Sequence, residues 1–265
     1  MKGNLSKKIL AGYSWLTVVF LVLPQAIVFL VSFNPSSRLV IPTSEWTLKW
    51  YAALAENEEF TTSFLISFLM APFVAVCAVI LGGVAAYAVV RFVSRPGLIE
   101  ALFIAPILLP VTALSVAMFL FFHTLGMTNT IAAVVISHVV IAVPYAFRTL
   151  GSSIRGVNTY LEEAAMSLGA SRVTAVRRIT LPMIRPGIAA AALFCLIVSL
   201  DEITVTLFVG GRQIKTVPIQ IFDQTEYGLS PMVAAASSIL IVVSTLVILF
   251  LIKTIGLDNA YSLKR

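Results

Sequence analysis

Charged residues are scarce in this sequence. Only 11% of its 265 residues are charged, whereas 59% are hydrophobic and the mean hydropathy is +1.01. A water-soluble globular domain carries about 25% charged residues, so this composition excludes one. Lipid must therefore be the solvent for most of the chain.

Cysteine and histidine are also rare, with two residues of each. Cys77 and Cys195 both fall inside long apolar stretches, which argues against a disulfide framework and leaves too few ligands for a metal site of the usual kind. We therefore expect no metal site, and we interpret both thiols as small apolar packing residues. We interpret the isolated His123 and His138 as groups that satisfy their neighbours.

Two sequence patterns are missing. The G-x4-G-K-[ST] signature of ATP-binding loops does not occur, so we expect this chain to bind neither ATP nor another cofactor by itself. We also find no internal repeat, which disfavours an ion-gradient transporter built from repeated halves. Such a transporter would also need membrane-embedded charges on several helices, and only one apolar stretch shows them.

What the sequence does contain is a series of long apolar stretches. A membrane-spanning helix needs roughly 20 consecutive apolar residues. Six stretches meet or nearly meet this length: Ile9–Phe33, Phe64–Val90, Leu98–Phe122, Ile131–Leu150, Gly187–Val209 and Met232–Ile252. None shows the alternation of barrel strands. The sequence therefore predicts an all-α, polytopic membrane protein with six transmembrane helices, bent at Pro106 and Pro110 and closely packed at Gly82.

Basic residues predict the orientation of these helices. If the amino terminus lies in the cytoplasm, only four of the 18 basic residues fall outside: Arg38, Lys49, Arg212 and Lys215. Because positive charge accumulates in cytoplasmic loops, both termini are predicted to be cytoplasmic. Of the outer loops, residues 34–62 and 210–231 are long enough to contact another protein, although a solvated acidic loop is the simpler interpretation of Glu56–Glu59.

One long cytoplasmic segment, residues 151–186, is too polar for lipid and too patterned for disorder. Thr159 to Glu162 has the form of a capping box, which predicts a short helix from Tyr160 to Gly169. Ser171 is predicted to cap a second short helix that Pro182 ends. We call this helix–turn–helix within residues 151–186 the elbow. The elbow could also be an amphipathic element held at anionic lipid.

The elbow resembles a known loop. Glu163-Ala164-Ala165, Gly169, Ile179, Leu181 and Pro182 match every specified position of E-A-A-x3-G-x9-I-x-L-P. The segment is similar to the EAA loop of permeases from binding-protein-dependent ABC importers. The resemblance implies the type I importer fold, a bacterial inner-membrane location and no enzymatic activity in this chain.

The resemblance also implies partners and site residues. The partners are an ABC ATPase dimer carrying ATP and Mg, a second homologous permease subunit and a periplasmic substrate-binding protein. The ATPase-coupling residues implied are Glu163, Ala164, Ala165, Ser167, Gly169, Ile179, Leu181 and Pro182. We expect residues 1–62 to form a peripheral first helix and loop, 63–252 the permease core, and 253–265 a cytoplasmic tail.

An acidic pair, Asp201 and Glu202, lies within the fifth predicted span. A carboxylate there costs roughly 2.5–3.5 kcal/mol and normally faces a bundle interior or water. On one continuous helix, Glu202 shares a stripe with Ser199 and Thr206, whereas Asp201 lies about 100° away on a more apolar face. We therefore expect Glu202, Asp201, Ser199 and Thr206 to lie along a substrate path, with Glu202 the better candidate to line it and Asp201 the better candidate for a structural or inter-subunit bond; a gate role or interfacial exposure remain alternatives.

The residues around this pair point to a solute class. Leu200-Asp201-Glu202, Phe208-Val209-Gly210-Gly211 and Gly228-Leu229-Ser230-Pro231 resemble permeases of spermidine/putrescine-type importers. The resemblance implies import of a small cationic solute such as a polyamine. Related importers of iron, phosphonates, opines or amino compounds share much of this pattern, so those solutes remain alternatives.

Overall fold

The computed structural model describes residues 2–37, 41, 45–226, 228 and 230–255. Three predictions concern residues outside this range: the side of the membrane on which Arg38, Lys264 and Arg265 lie, the motif position Leu229, and the cytoplasmic tail beyond residue 255. Within it, the chain is helical and contains no β-strand. The all-α prediction is thus confirmed.

The helices follow one another with short connections. In chain order they are α1 (Lys2–Val31), α2 (Lys49–Glu56), α3 (Glu58–Phe92), α4 (Gly97–Leu108), α5 (Val111–Thr124), α6 (Ile131–Arg155), α7 (Thr159–Ser167), α8 (Arg172–Ala175), a π-helical turn (Val176–Thr180), α9 (Leu181–Met183), α10 (Arg185–Asp201), α11 (Thr204–Gly210), α12 (Val217–Glu226) and α13 (Pro231–Ile255).

Four described helices are long and apolar enough to cross a membrane: α1, α3, α6 and α13. Two bent pairs bring the number to six when each pair counts as one span. They are α4 with α5, bent by 98°, and the stretch Arg172–Met183 with α10, bent by 73°. Counted this way, the described residues hold six candidate spans, but the bent pair that includes α10 differs from the predicted fifth span Gly187–Val209, which continues into α11.

The third span bends where its prolines predicted. Leu109 adopts an extended conformation between α4 and α5, and Pro110 precedes the first residue of α5. A residue before proline is pushed out of the helical region, and proline has no N–H to donate. Both effects end α4 at Leu108 and allow the sharp turn.

The fifth span is interrupted, so the predicted continuous helix from Gly187 to Val209 is wrong. α10 ends at Asp201, Glu202 is extended with φ −74° and ψ 113°, and α11 begins at Thr204. The helical phase is lost at Glu202. The predicted stripe that joined Glu202 to Ser199 and Thr206 therefore does not exist.

The chain forms two compact units. The first consists of Met1–Thr62 and Gln220–Thr245. The predicted outer loop 34–62 is not simply a loop, because it contains α2 and the first turn of α3. Within this unit, the hydroxyls of Ser32 and Tyr51 lie 2.7 Å apart, and the Trp50 indole N–H donates to the Asn34 carbonyl at 2.7 Å.

The second unit, Ser63–Ile219 with Leu246–Arg265, holds the main core around α6. The predicted close packing at Gly82 is confirmed. A Cβ atom added to Gly82 would lie 2.8 Å from the Ala146 Cβ atom and 2.9 Å from the Phe147 amide nitrogen. No side chain fits there, so α3 and α6 meet backbone to backbone.

Candidate functional site

The elbow begins with α7, whose cap differs from the prediction. The Asn158 side chain accepts a hydrogen bond from the Tyr160 amide at 3.0 Å, and Asn158 itself is extended. Asn158 is therefore the N-cap, and the predicted capping box from Thr159 to Glu162 is wrong. Asparagine is as good a cap as threonine, which leaves the Glu162 side chain available elsewhere.

α7 ends at Ser167, two residues before the predicted end, and Gly169 adopts the left-handed conformation predicted for it. Gly169 has φ +90°, its amide donates to the Met166 carbonyl, and the Ala170 amide donates to the Ala165 carbonyl, both at 3.0 Å. This pair of bonds is a Schellman motif, which satisfies carbonyls at the helix end. Nothing lies within 4 Å of a Cβ atom added to Gly169, so glycine is needed here for its backbone angle.

The second half of the elbow starts at Ser171, whose hydroxyl accepts a hydrogen bond from the Thr174 amide at 3.3 Å. Pro182 does not end this helix, contrary to the prediction. The chain stays helical through Met183 because the turn Val176–Thr180 is π-helical. A π turn shifts the hydrogen-bond register, which accommodates the missing N–H of Pro182.

A buried carboxylate attaches the elbow to the end of α3. Glu162 is 3% exposed. Its Oε1 accepts from an Arg91 Nη at 3.0 Å and from the Thr180 hydroxyl at 2.6 Å, and its Oε2 accepts from the Tyr87 hydroxyl at 2.8 Å. Arg91 also donates to the Val157 carbonyl at 3.3 Å. We call Tyr87, Arg91, Glu162 and Thr180 the anchor network.

The anchor network keeps Glu162 ionised. Burial on its own raises the pKa of this carboxyl group, but the hydrogen bonds from Thr180 and Tyr87 and the charge of Arg91 together outweigh burial. The pKa of Glu162 is therefore lowered from its ordinary value of 4.5. The ion pair is intact at neutral pH.

The exposed face of the elbow carries most of the predicted coupling residues. Glu163, Ala164, Ser167 and Gly169 are exposed, and between them Leu168 is 90% exposed. The remaining coupling residues are half-buried or exposed: Ala165, Ile179, Leu181 and Pro182. The motif glutamate thus faces outward, whereas its neighbour Glu162 faces the bundle.

A second candidate site is a cavity of about 310 Å³ at the two helix interruptions. Its lining residues are Pro106, Ile107, Leu109, Val111, Leu114, Ile141, Tyr145, Ile197, Val198, Asp201 and Glu202. The broken backbone at Leu109 and at Glu202 borders the same space. Irregular backbone at membrane depth is tolerated where it lines a cavity, and such breaks are typical of solute sites in transporters.

The two carboxylates of this cavity differ in their contacts. Glu202 is half-buried, and its Oε1 accepts a hydrogen bond from the Val205 amide at 3.0 Å, which caps the start of α11. Asp201 is exposed and has no hydrogen-bond or ion-pair partner in the part of the chain that the structure describes. Within the described residues, Asp201 is therefore the freer carboxylate, and Glu202 is the one held by a hydrogen bond.

Ser199 and Thr206, predicted to line the path, lie elsewhere. Both are at most 3% exposed, and neither lines the cavity. The Ser199 hydroxyl lies 3.0 Å from His138 Nδ1 and the Thr206 hydroxyl 2.7 Å from His138 Nε2. These two residues belong to a buried cluster behind the acidic pair.

Comparison with known proteins identifies the family. The pattern of the family described as "Binding-protein-dependent transport system inner membrane component" matches residues 78–255, which include the elbow and the acidic cavity. This chain belongs to that family. It is a membrane-spanning permease subunit of an ABC importer, located in the inner membrane.

Individual relatives of the permease agree with this assignment. The spermidine/putrescine transport system permease protein PotC of Escherichia coli (strain K12) is 30% identical over 240 residues, covering 90% of each chain. The putrescine transport system permease protein PotI of the same strain is 30% identical over 230 residues, covering 84% of this chain and 82% of PotI.

A solved structure agrees with the fold of the permease. It is that of a bacterial alginate ABC transporter in complex with an alginate pentasaccharide-bound periplasmic protein. One of its chains matches with a TM-score of 0.73 at 16% identity, covering 94% of both chains. At this identity the likeness shows the fold alone.

Sequence reasoning missed several residues of the permease that the structure brings together. Tyr87 and Arg91 end an apolar helix 75 and 71 positions before Glu162, and no local pattern links them to it. His138 was interpreted as a residue that satisfies neighbours, but its neighbours could not be named. Only the fold reveals that they lie on either side of a helix break.

Proposed function

We propose that this permease imports a polyamine-like cation and that Asp201 is the main carboxylate it meets. One observation carries the proposal. The Asp201 side chain is exposed at a cavity whose other residues are almost all apolar, with Glu202 beside it. Two relatives whose names specify spermidine or putrescine as solute support the same class.

The chemistry of the cavity fits such a solute. A carboxylate surrounded by apolar groups is costly unless a cation compensates its charge. A polyamine offers ammonium groups separated by alkyl segments. The ammonium groups can pair with the two carboxylates, and the alkyl segments can contact the apolar side chains that flank them, Ile197, Val198 and Leu114. Because the Val205 amide already occupies one oxygen of Glu202, we assign Asp201 the first contact and Glu202 a supporting one.

We further propose that the exposed face of the elbow contacts an ATPase dimer. The dimer would bind ATP and Mg and act with this permease, a second homologous permease and a periplasmic binding protein. The Schellman motif at Gly169 and the attachment through Glu162 support this role, because a coupling surface must move as one body with the helices behind it. Both termini would then lie in the cytoplasm.

The solute is tested by uptake. Reconstituted complexes should take up labelled spermidine and putrescine, and Asp201→Asn should lower uptake efficiency about 10- to 100-fold, as expected for one lost charge-assisted hydrogen bond. Glu202→Gln should have a smaller effect. Uptake is normalised to the amount of assembled complex. Unchanged uptake by both variants, or competition by a neutral solute, would refute the cationic assignment.

The coupling role is tested separately. Glu163→Lys reverses the charge of the exposed motif residue, and we expect complexes that assemble but lose ATP-dependent uptake. Normal uptake by Glu163→Lys at wild-type abundance would contradict the assignment.

A further inference from the structure

A buried histidine bridges the break in the fifth span. His138 lies on α6 and is 1% exposed. Its Nδ1 lies 3.0 Å from the hydroxyl of Ser199, on α10 before the break. Its Nε2 lies 2.7 Å from the hydroxyl of Thr206, on α11 after the break. One side chain therefore contacts both helices that flank Glu202 and Ile203.

The directions of these hydrogen bonds follow from the tautomer of His138. In the tautomer with hydrogen on Nε2, the Thr206 hydroxyl accepts from His138 and donates to the Glu202 carbonyl at 3.3 Å, and Nδ1 accepts from the Ser199 hydroxyl. In either tautomer, a chain of hydrogen-bonding groups links Ser199 through His138 and Thr206 to the Glu202 carbonyl.

This chain ends on the peptide group that borders the acidic cavity. The helix break leaves the Glu202 carbonyl without a regular helical partner, and the Thr206 hydroxyl supplies one. The Glu202 carboxylate is held from the same helix by the Val205 amide. The orientation of the break therefore depends on where His138 holds α11 relative to α10.

We propose that His138 is a positioning residue for solute recognition, which fixes the Glu202–Ile203 break and so aims Asp201 and Glu202 into the cavity. The inference rests on the proposed function for its link to the solute. A residue needed only for packing could be leucine. Here both ring nitrogens are used, one on each side of the break.

The test compares variants that change the hydrogen bonds but little else. Thr206→Val removes the hydroxyl at constant shape, and Thr206→Ser keeps it as the conservative rescue. Ser137→Ala is the matched control, because Ser137 is equally buried on α6 but, among the described residues, its hydroxyl bonds only the Ala133 carbonyl. His138→Leu removes the bridge itself.

The first readout does not depend on the solute. In complexes carrying Cys77→Ala and Cys195→Ala, Asp201→Cys is labelled with a membrane-impermeant maleimide. Thr206→Val and His138→Leu should change the labelling rate about threefold to tenfold, the size expected for one hydrogen bond. Thr206→Ser should match the parent.

The second readout is spermidine uptake by the chain with native cysteines. Thr206→Val should raise KM about threefold to tenfold while the maximal rate per assembled complex changes little. Thr206→Ser and Ser137→Ala should keep the parental KM.

The outcomes separate the two proposals. If Thr206→Val keeps both the maleimide labelling rate and the spermidine KM of the parent, the positioning role is overturned. The same holds if Thr206→Val lowers complex abundance but changes neither the labelling rate nor the KM. If Thr206→Val alters the labelling rate but the parent complex takes up no spermidine, the result supports the positioning of the break by His138 and refutes the proposed solute. If His138→Leu fails to assemble, Thr206→Val decides.

Discussion

Glu162→Gln should detach the elbow from the end of α3 while leaving the shape of the side chain unchanged. Glu162 is 3% exposed, and the partnered Arg91 side chain is 7% exposed. Glutamine removes the negative charge and leaves the arginine charge buried without compensation. Within the described residues, Arg91 Nε already lacks a hydrogen-bond partner, so no spare acceptor is at hand.

The size of the effect follows from burial. Removing one partner of a buried ion pair costs about 3–5 kcal/mol. Because glutamine still accepts one hydrogen bond through its oxygen, we expect the lower end, about 3 kcal/mol. That corresponds to an increase of about two orders of magnitude in the population of the detached elbow.

Limited trypsin digestion of the purified complex measures this population. The elbow arginines Arg172, Arg177 and Arg178 should be cut much faster in Glu162→Gln than in the parent. Glu163→Gln makes the same change one residue later on the exposed face and should digest like the parent. Arg91→Met combined with Glu162→Gln should be less sensitive than Glu162→Gln alone, because no unpaired charge remains buried. Equal digestion of Glu162→Gln and the parent would refute the anchoring role.

Three further outcomes are expected. The folded-state pKa of Glu162 is lowered from 4.5, so the ionised carboxylate stabilises the attached elbow fully at neutral pH, and this stabilisation is lost as the pH falls below 4.5. Trypsin protection of the elbow should therefore be flat from about pH 8 to 5 and then decline. Gly82→Val should reduce the amount of assembled complex, because overpacking there costs about 1–3 kcal/mol. Gly12→Val is the control and should be tolerated, since nothing lies within 4 Å of a Cβ atom added at Gly12. Normal abundance of Gly82→Val would contradict the close packing. Reporter fusions after Asn57 should be periplasmic and those after Arg95 cytoplasmic, and a reversal would break the predicted orientation.

Features that depend on neighbours in the chain could be predicted from the sequence. A run of apolar residues long enough to span lipid is a local property, so the four uninterrupted candidate spans α1, α3, α6 and α13 were predicted, whereas the interruption of the fifth predicted span was not. The bend at Pro110 was found because proline restricts its own backbone and that of the residue before it. The chain turns at Gly169, just after α7, because glycine adopts the left-handed angle most readily.

Other features depend on contacts between distant segments, and these the sequence could not decide. Glu162 and Glu163 are adjacent and chemically identical, yet only the packing of α7 against Tyr87 and Arg91 determines which one is buried. The predicted order of Asp201 and Glu202 assumed an unbroken helix, and the break at Glu202 removes that basis.

The break at Glu202–Ile203 contains no proline or glycine from which it could be predicted. It is stabilised by the Val205 amide bound to the Glu202 carboxylate, and by the Thr206 hydroxyl, which bonds both the Glu202 carbonyl and His138 on α6. The sequence by itself determined which segments are apolar enough to cross a membrane and where the elbow and acidic pair fall, because hydropathy and motif spacing are local. The tertiary structure alone decided which carboxylates are held and which is free, because burial and hydrogen-bond partners depend on the helices that pack alongside.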